Sequence, residues 1–149
     1  MRYEPLIQES YGIKNYKMNT RKIEAIMVVK EYDDDLNRES GVSLDPAKFN
    51  VVKSILELGK AECIDMEKDY IVGSFYKTKD ALFGAQMLKS VLKVLKISVK
   101  VGVDNGSIYD EVISSHDEGR GNCVDGAIQL ASVAKPDEIV ISESLYSIR

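Results

Sequence analysis

Apolar and polar positions change their spacing several times along this chain, and each change predicts an element. Ile23 to Val29 is an unbroken apolar run, which predicts a strand covered on both faces. Asp45-Pro46 supplies an N-cap followed by a first-turn proline, and Gly59 supplies a stop, so a helix is expected between them with Phe49, Val51, Val52, Ile55 and Leu56 inward. Residues 61–66 and 69–76 form a hairpin pattern around Glu67-Lys68. Thr78 then caps a second helix through Leu95, whose Leu82, Ala85, Met87, Leu88, Val91, Leu92 and Leu95 recur at helical spacing. Lys89, Lys93 and Lys96 line its other side as a solvated row. Ile97, Val99, Val101 and Val103 alternate with Ser98, Lys100 and Gly102, the period of a strand with one buried face.

Beyond that strand, Ile108 to Ile113 reads as its outgoing partner and Ser114 to Arg120 as a polar turn. A third helix is expected from Asn122 to Ala134, ended by Pro136, and Glu138 to Ile141 closes the sheet. The order strand, helix, strand, strand, helix, strand predicts an α/β (α+β) fold with a ferredoxin-like βαββαβ core. Residues 1–20 show no clear period but carry Tyr3, Leu6, Ile7, Tyr11, Ile13 and Tyr16. They are expected to be an N-terminal arm that packs on the domain, or a partly disordered lead-in, to a single domain over 21–149. Asp33-Asp34-Asp35 lacks EF-hand spacing, and consecutive carboxylates on extended chain cannot share one ion, so a solvated loop is expected.

Composition narrows the functional classes. The chain has 149 residues, 44% of them hydrophobic, enough for one substantial core. With 20 Lys+Arg against 24 Asp+Glu its net charge is -4, which gives no basic field for nucleic acid or an anionic membrane. Cys63, Cys123 and the sole histidine, His116, make no zinc spacing, so both thiols are expected to be buried or incidental. No apolar run reaches transmembrane length, and the first 20 residues hold no leader-like apolar core, so a cytoplasmic protein is expected.

One family resemblance adds to this reading. The segment Val101-Gly102-Val103-Asp104-Asn105-Gly106-Ser107 falls on the strand, His-Thr-Gly-Glu and hairpin pattern of class III adenylate/guanylate cyclase catalytic domains, with Gly106 on the glycine of the turn. Val124-Asp125-Gly126-Ala127-Ile128-Gln129-Leu130 falls on that family's Val-Asn-x-Ala-x-Arg-Leu helix motif, followed by Ala134 to Ile139 and by Ser142-Glu143. Upstream, Lys68-Asp69-Tyr70-Ile71-Val72-Gly73-Ser74-Phe75 resembles the Gly-Asp hairpin, and Asp80-Ala81 the start of the next helix. The resemblance runs from about Ile23 to Tyr146 and is strongest after Asp69. The Gly-Gly-Asp/Glu-Glu-Phe hairpin of domains that share this core is not present.

What the resemblance implies is a degenerate site. Cyclases hold two divalent cations on two carboxylates. Asp69 occupies the second position, while Val29, Lys30 or Glu31 occupies the first, and only Glu31 of these could ligate Mg²⁺ or Mn²⁺. The Asn that orients the ribose is Asp125, and the Arg that neutralises the phosphoryl group is Gln129, an amide that cannot supply a guanidinium's charge. Asp65 and Glu118 fall on the base-reading positions, where Asp65 reverses the charge of a lysine. A phosphate-binding lysine that the family carries on later strands has no counterpart before Arg149. The implied protein is a catalytically inactive cyclase-like domain acting as a dimerising or regulatory module, paired with itself or with another cyclase-like domain. The alternatives are a nucleotide- or metal-binding sensor and a divergent active cyclase. In a homodimer, residues 106–118 would form part of the contact, by analogy with the family's arm.

Overall fold

The computed structural model describes residues 22–33, 38–39, 46–106 and 124–148. The apolar run forms β1 (Ala25–Asp33), and Arg38–Glu39 returns as a two-residue β2 paired with its end, Asp33 against Arg38. Asp33 is therefore the last residue of a strand rather than part of a loop; Asp34 and Asp35 lie outside the described residues. There follow α1 (Pro46–Leu58), β3 (Cys63–Met66), β4 (Ile71–Phe75), α2 (Thr78–Val94) and β5 (Ser98–Asn105). The chain ends with α3 (Asp125–Val133), β6 (Ile139–Ile141) and a short α4 (Glu143–Ile148).

The sheet order is β3-β4-β1-β5-β6. β1 runs antiparallel between β4 and β5, from Ala25 opposite Phe75 and Asn105 to Val29 opposite Ile71 and Val101. This is the ferredoxin-like arrangement that the element order predicts, extended by β6, which pairs parallel with β5. Period-two alternation divides β1 between two cores. Ala25, Met27 and Val29 pack with Phe75, Val101, Val103 and the inner faces of α1 and α2, including Leu56, Leu88 and Leu92. Ile26 and Val28 pack with Val72, with Val124 just before α3, and with Ala127 and Ala131 of α3 on the opposite face. Continuous apolarity in β1 is thus the signature of a strand enclosed by helices on both sides.

Three local expectations change. β5 is not half-buried: Lys100 and Gly102, on its supposedly wet face, are both buried, because α3 lies directly on them. A Cβ at Gly102 would collide with the Ala127 carbonyl oxygen and the Ala131 amide and come within 2.8 Å of Leu130 Cβ. Glycine on the strand, with Ala127 and Ala131 on the helix, lets the two backbones close together.

Gly59 does not end α1 by adopting a left-handed turn; Lys60 does, with φ 71°. A Cβ at Gly59 would lie 3.1 Å from the Cα of Gly84, so this glycine allows α1 to cross α2. Thr78 is the first residue of α2 rather than its cap. The cap comes from Glu24, whose Oε1 accepts the Thr78 amide at 2.9 Å and the Thr78 hydroxyl at 3.3 Å. Of the two alternatives for its thiol, exposure of Cys63 on the edge strand β3 excludes burial; Cys123 lies outside the described residues.

Candidate functional site

The predicted site residues lie around one end of the sheet. β1 and β4 pair as far as Val29 and Ile71, so Lys30 and Glu31 run beside the turn that joins β3 to β4. That turn is closed by the Glu67 amide donating to the Tyr70 carbonyl at 2.8 Å, which leaves Asp69 exposed at its tip. Glu31 continues the parity of Val29 and points to the α1 side, where Lys48 Nζ meets Glu31 Oε2 at 2.6 Å. Asp125 and Gln129 are both exposed on α3, on the other side of the sheet. Asp65 is half-buried in β3, opposite Val72, with its Oδ2 3.7 Å from Cys63 Sγ. Glu118 and the whole 107–123 segment, with its expected strand and polar turn, lie outside the described residues.

Asp69 and Asp125, far apart in sequence, do share a neighbourhood. The Tyr70 hydroxyl is pushed above the usual tyrosine range, first by burial and then by the carboxylates of Glu67, Asp69 and Asp125. Negative charge gathers where β4 passes beneath α3. At the first turn of α3 there is a further carboxylate: Asp104 Oδ2 occupies the space that a Cβ on Gly126 would need, while its Oδ1 accepts the Asn105 amide at 2.7 Å. Carboxylates at a helix N-terminus complement its dipole. The same carboxylates make this end of α3 a poor seat for a bare triphosphate.

Two lysines dominate the opposite end of α3, and sequence reasoning missed their role. Lys30 and Lys100 are paired across β1 and β5 and are each only 8% exposed. Lys30 Nζ donates to Ser132 Oγ at 3.0 Å, and Lys100 Nζ donates to the Ser132 carbonyl at 2.8 Å. Ser132 sits in the last turn of α3, whose orphan carbonyls carry partial negative charge. The ammonium groups therefore clamp the helix to the sheet. Lysines that interrupt an apolar strand at facing positions were the available signal, but strand pairing was needed to bring them together.

Where the resemblance implies a first metal carboxylate, the geometry offers a different set of groups. Val29 is in the core, Lys30 is held by Ser132, and Glu31 is paired with Lys48. Glu31 and Asp125 belong to opposite sides of the sheet. Among the described residues, no group of three or more His, Cys, Asp or Glu side chains could hold a metal ion.

These features define an α/β fold with a mixed central sheet of the cyclase type, lacking an assembled metal cluster among its described residues. Comparison with solved structures agrees: the chain is similar in fold to an adenylate/guanylate cyclase/hydrolase from Silicibacter pomeroyi, with a TM-score of 0.57 at 13% sequence identity, over 83% of this chain and 78% of that one. No family model matches the sequence. No curated protein matches it either. Among the described residues no helix is long and apolar enough to cross a membrane.

Proposed function

We propose that this domain is a non-catalytic member of the cyclase fold and acts as a dimerising or regulatory module. The observation that carries the reading is α3. The helix keeps its seat on Gly102 through Ala127 and Ala131, yet it presents Asp125 and Gln129 to solvent where the resemblance implies Asn and Arg. An amide cannot neutralise charge on a phosphoryl group undergoing transfer, and losing a preorganised donor of this kind costs about 3–4 kcal/mol in the barrier. The scaffold is preserved where packing requires it and altered where chemistry would.

Two measurements test this on the purified chain. Incubation with ATP or GTP and Mg²⁺ or Mn²⁺ is expected to yield no cyclic nucleotide, and light scattering is expected to show a mass that rises to that of a dimer with concentration. Cyclic product that disappears in Asp69→Ala would overturn the non-catalytic reading. A concentration-independent monomer would overturn self-pairing and leave only a different cyclase-like partner.

A further inference from the structure

A cleft of about 300 Å³ opens at the C-terminal end of α2, lined by Lys93, Lys96, Ile97, Ser98 and Asp137. Two of these five residues hold left-handed backbone, Lys96 at φ 62° and Asp137 at φ 64°. Lys96 occupies the position after the C-cap, its amide donating to the Lys93 carbonyl at 3.0 Å, while the Ile97 amide donates to Leu92 at 2.9 Å. This is where helices favour glycine, because a Cβ is disfavoured in that conformation. A lysine kept there spends stability and places a cation at the mouth of the cleft. Non-glycine residues in such conformations tend to gather at ligand sites.

The charges are available to a guest. Lys30 and Lys100 are engaged with Ser132, whereas neither the Lys93 nor the Lys96 ammonium has a hydrogen bond or ion pair among the described residues. Asp137 is turned toward the backbone of β5: its Oδ1 accepts the Val99 amide at 3.4 Å, and its own amide donates to the Val99 carbonyl at 2.7 Å. The final α2 carbonyls of Val91, Leu92 and Lys93 are taken up by the amides of Leu95, Ile97 and Lys96. Two cations therefore line a cleft whose one carboxylate has its Oδ1 turned to the Val99 amide. Half-buried Ile97 and the lysine stems supply an apolar side.

We propose that this cleft binds a small organic phosphate, with Lys93 and Lys96 on the phosphate and Ile97 against its carbon skeleton. A volume near 300 Å³ lies at the lower end of ligand pockets and suits a phosphorylated metabolite of a few carbons. The site lies at the far end of α2 from Thr78 and uses nothing from α3, so it is independent of whether the domain has lost cyclisation.

The backbone provides an unusual control. Lys96→Gly removes one cation while relieving a left-handed residue, and Lys60→Gly relieves the equivalent residue after α1, remote from the cleft. Both variants are expected to melt at or above the wild-type temperature. Glycerol 3-phosphate and inorganic phosphate are titrated at constant ionic strength against chloride, following the amides of Ile97, Ser98 and Asp137 by NMR. Saturable shifts are expected, stronger with the organic phosphate, at least tenfold weaker in Lys96→Gly and Lys93→Gln, and unchanged in Lys60→Gly. Non-saturating shifts, or equal affinity in wild type and Lys96→Gly, would overturn the site. Equal affinity for the two phosphates would overturn the role of Ile97 and reduce the cleft to a phosphate site.

Discussion

A side chain at position 102 would enter the backbone of α3, and this makes the residue a sensitive probe of the second core. Gly102→Ala is expected to cost about 1–3 kcal/mol, the range for overpacking a filled interior, or to lift α3 from the sheet. Chemical denaturation of the variant measures the loss. Tyr70 reports the acidic neighbourhood instead. Its raised pKa means that the native state favours the neutral phenol. The corresponding stability is fully present below the ordinary tyrosine value, near pH 10, and is lost as pH rises through the raised folded value. Tyr70→Phe should flatten that alkaline decline. Asp125→Asn should lower the Tyr70 titration midpoint, as read from the ring carbon bearing the hydroxyl in an NMR pH series; an unmoved midpoint would mean that the Asp125 carboxylate does not reach it.

Elements in this chain were readable where their own residues determine them. The period of α1 and α2 and the alternation of β5 came directly from apolar spacing, and both helices lie within a residue or so of their expected ends. Terminal chemistry was less legible, because it is supplied from elsewhere. Glu24, at the entrance to β1, caps α2 across a separation of 54 residues. Glu24→Ala is expected to cost about 1 kcal/mol, as for loss of an N-cap, and to raise amide exchange in the first turn of α2. Exchange unchanged there would show that another group takes over the cap. The short α4 was not anticipated at all. Ser142 accepts the Leu145 amide at 3.2 Å, and Leu145 is fully buried against the first core, but six residues are too few for a helical period to register.

For the molecule as a whole, two of the acidic side chains singled out in the sequence are divided by the sheet. Glu31 lies with Lys48 on the α1 side, and Asp125 lies on the α3 side. Calorimetry with Mn²⁺ is expected to give equally weak heats from wild type and Asp69→Asn; a saturable isotherm lost in the variant would place a cation at the hairpin. The sequence by itself determined the ferredoxin-like order of elements, since apolar period is a local property that survives any arrangement of the remaining chain. It also showed the resemblance of residues 124–130 to a cyclase helix motif, with Asp125 and Gln129 at the altered positions. Only the tertiary structure decided what those elements face. The pairing of β1 with β5 set Lys30 beside Lys100 and put both under Ser132, and the bare backbone of Gly102 admitted α3 to a face that alternation alone assigned to water. Burial of both faces depends on which helix crosses which strand, a long-range contact that no local spacing encodes.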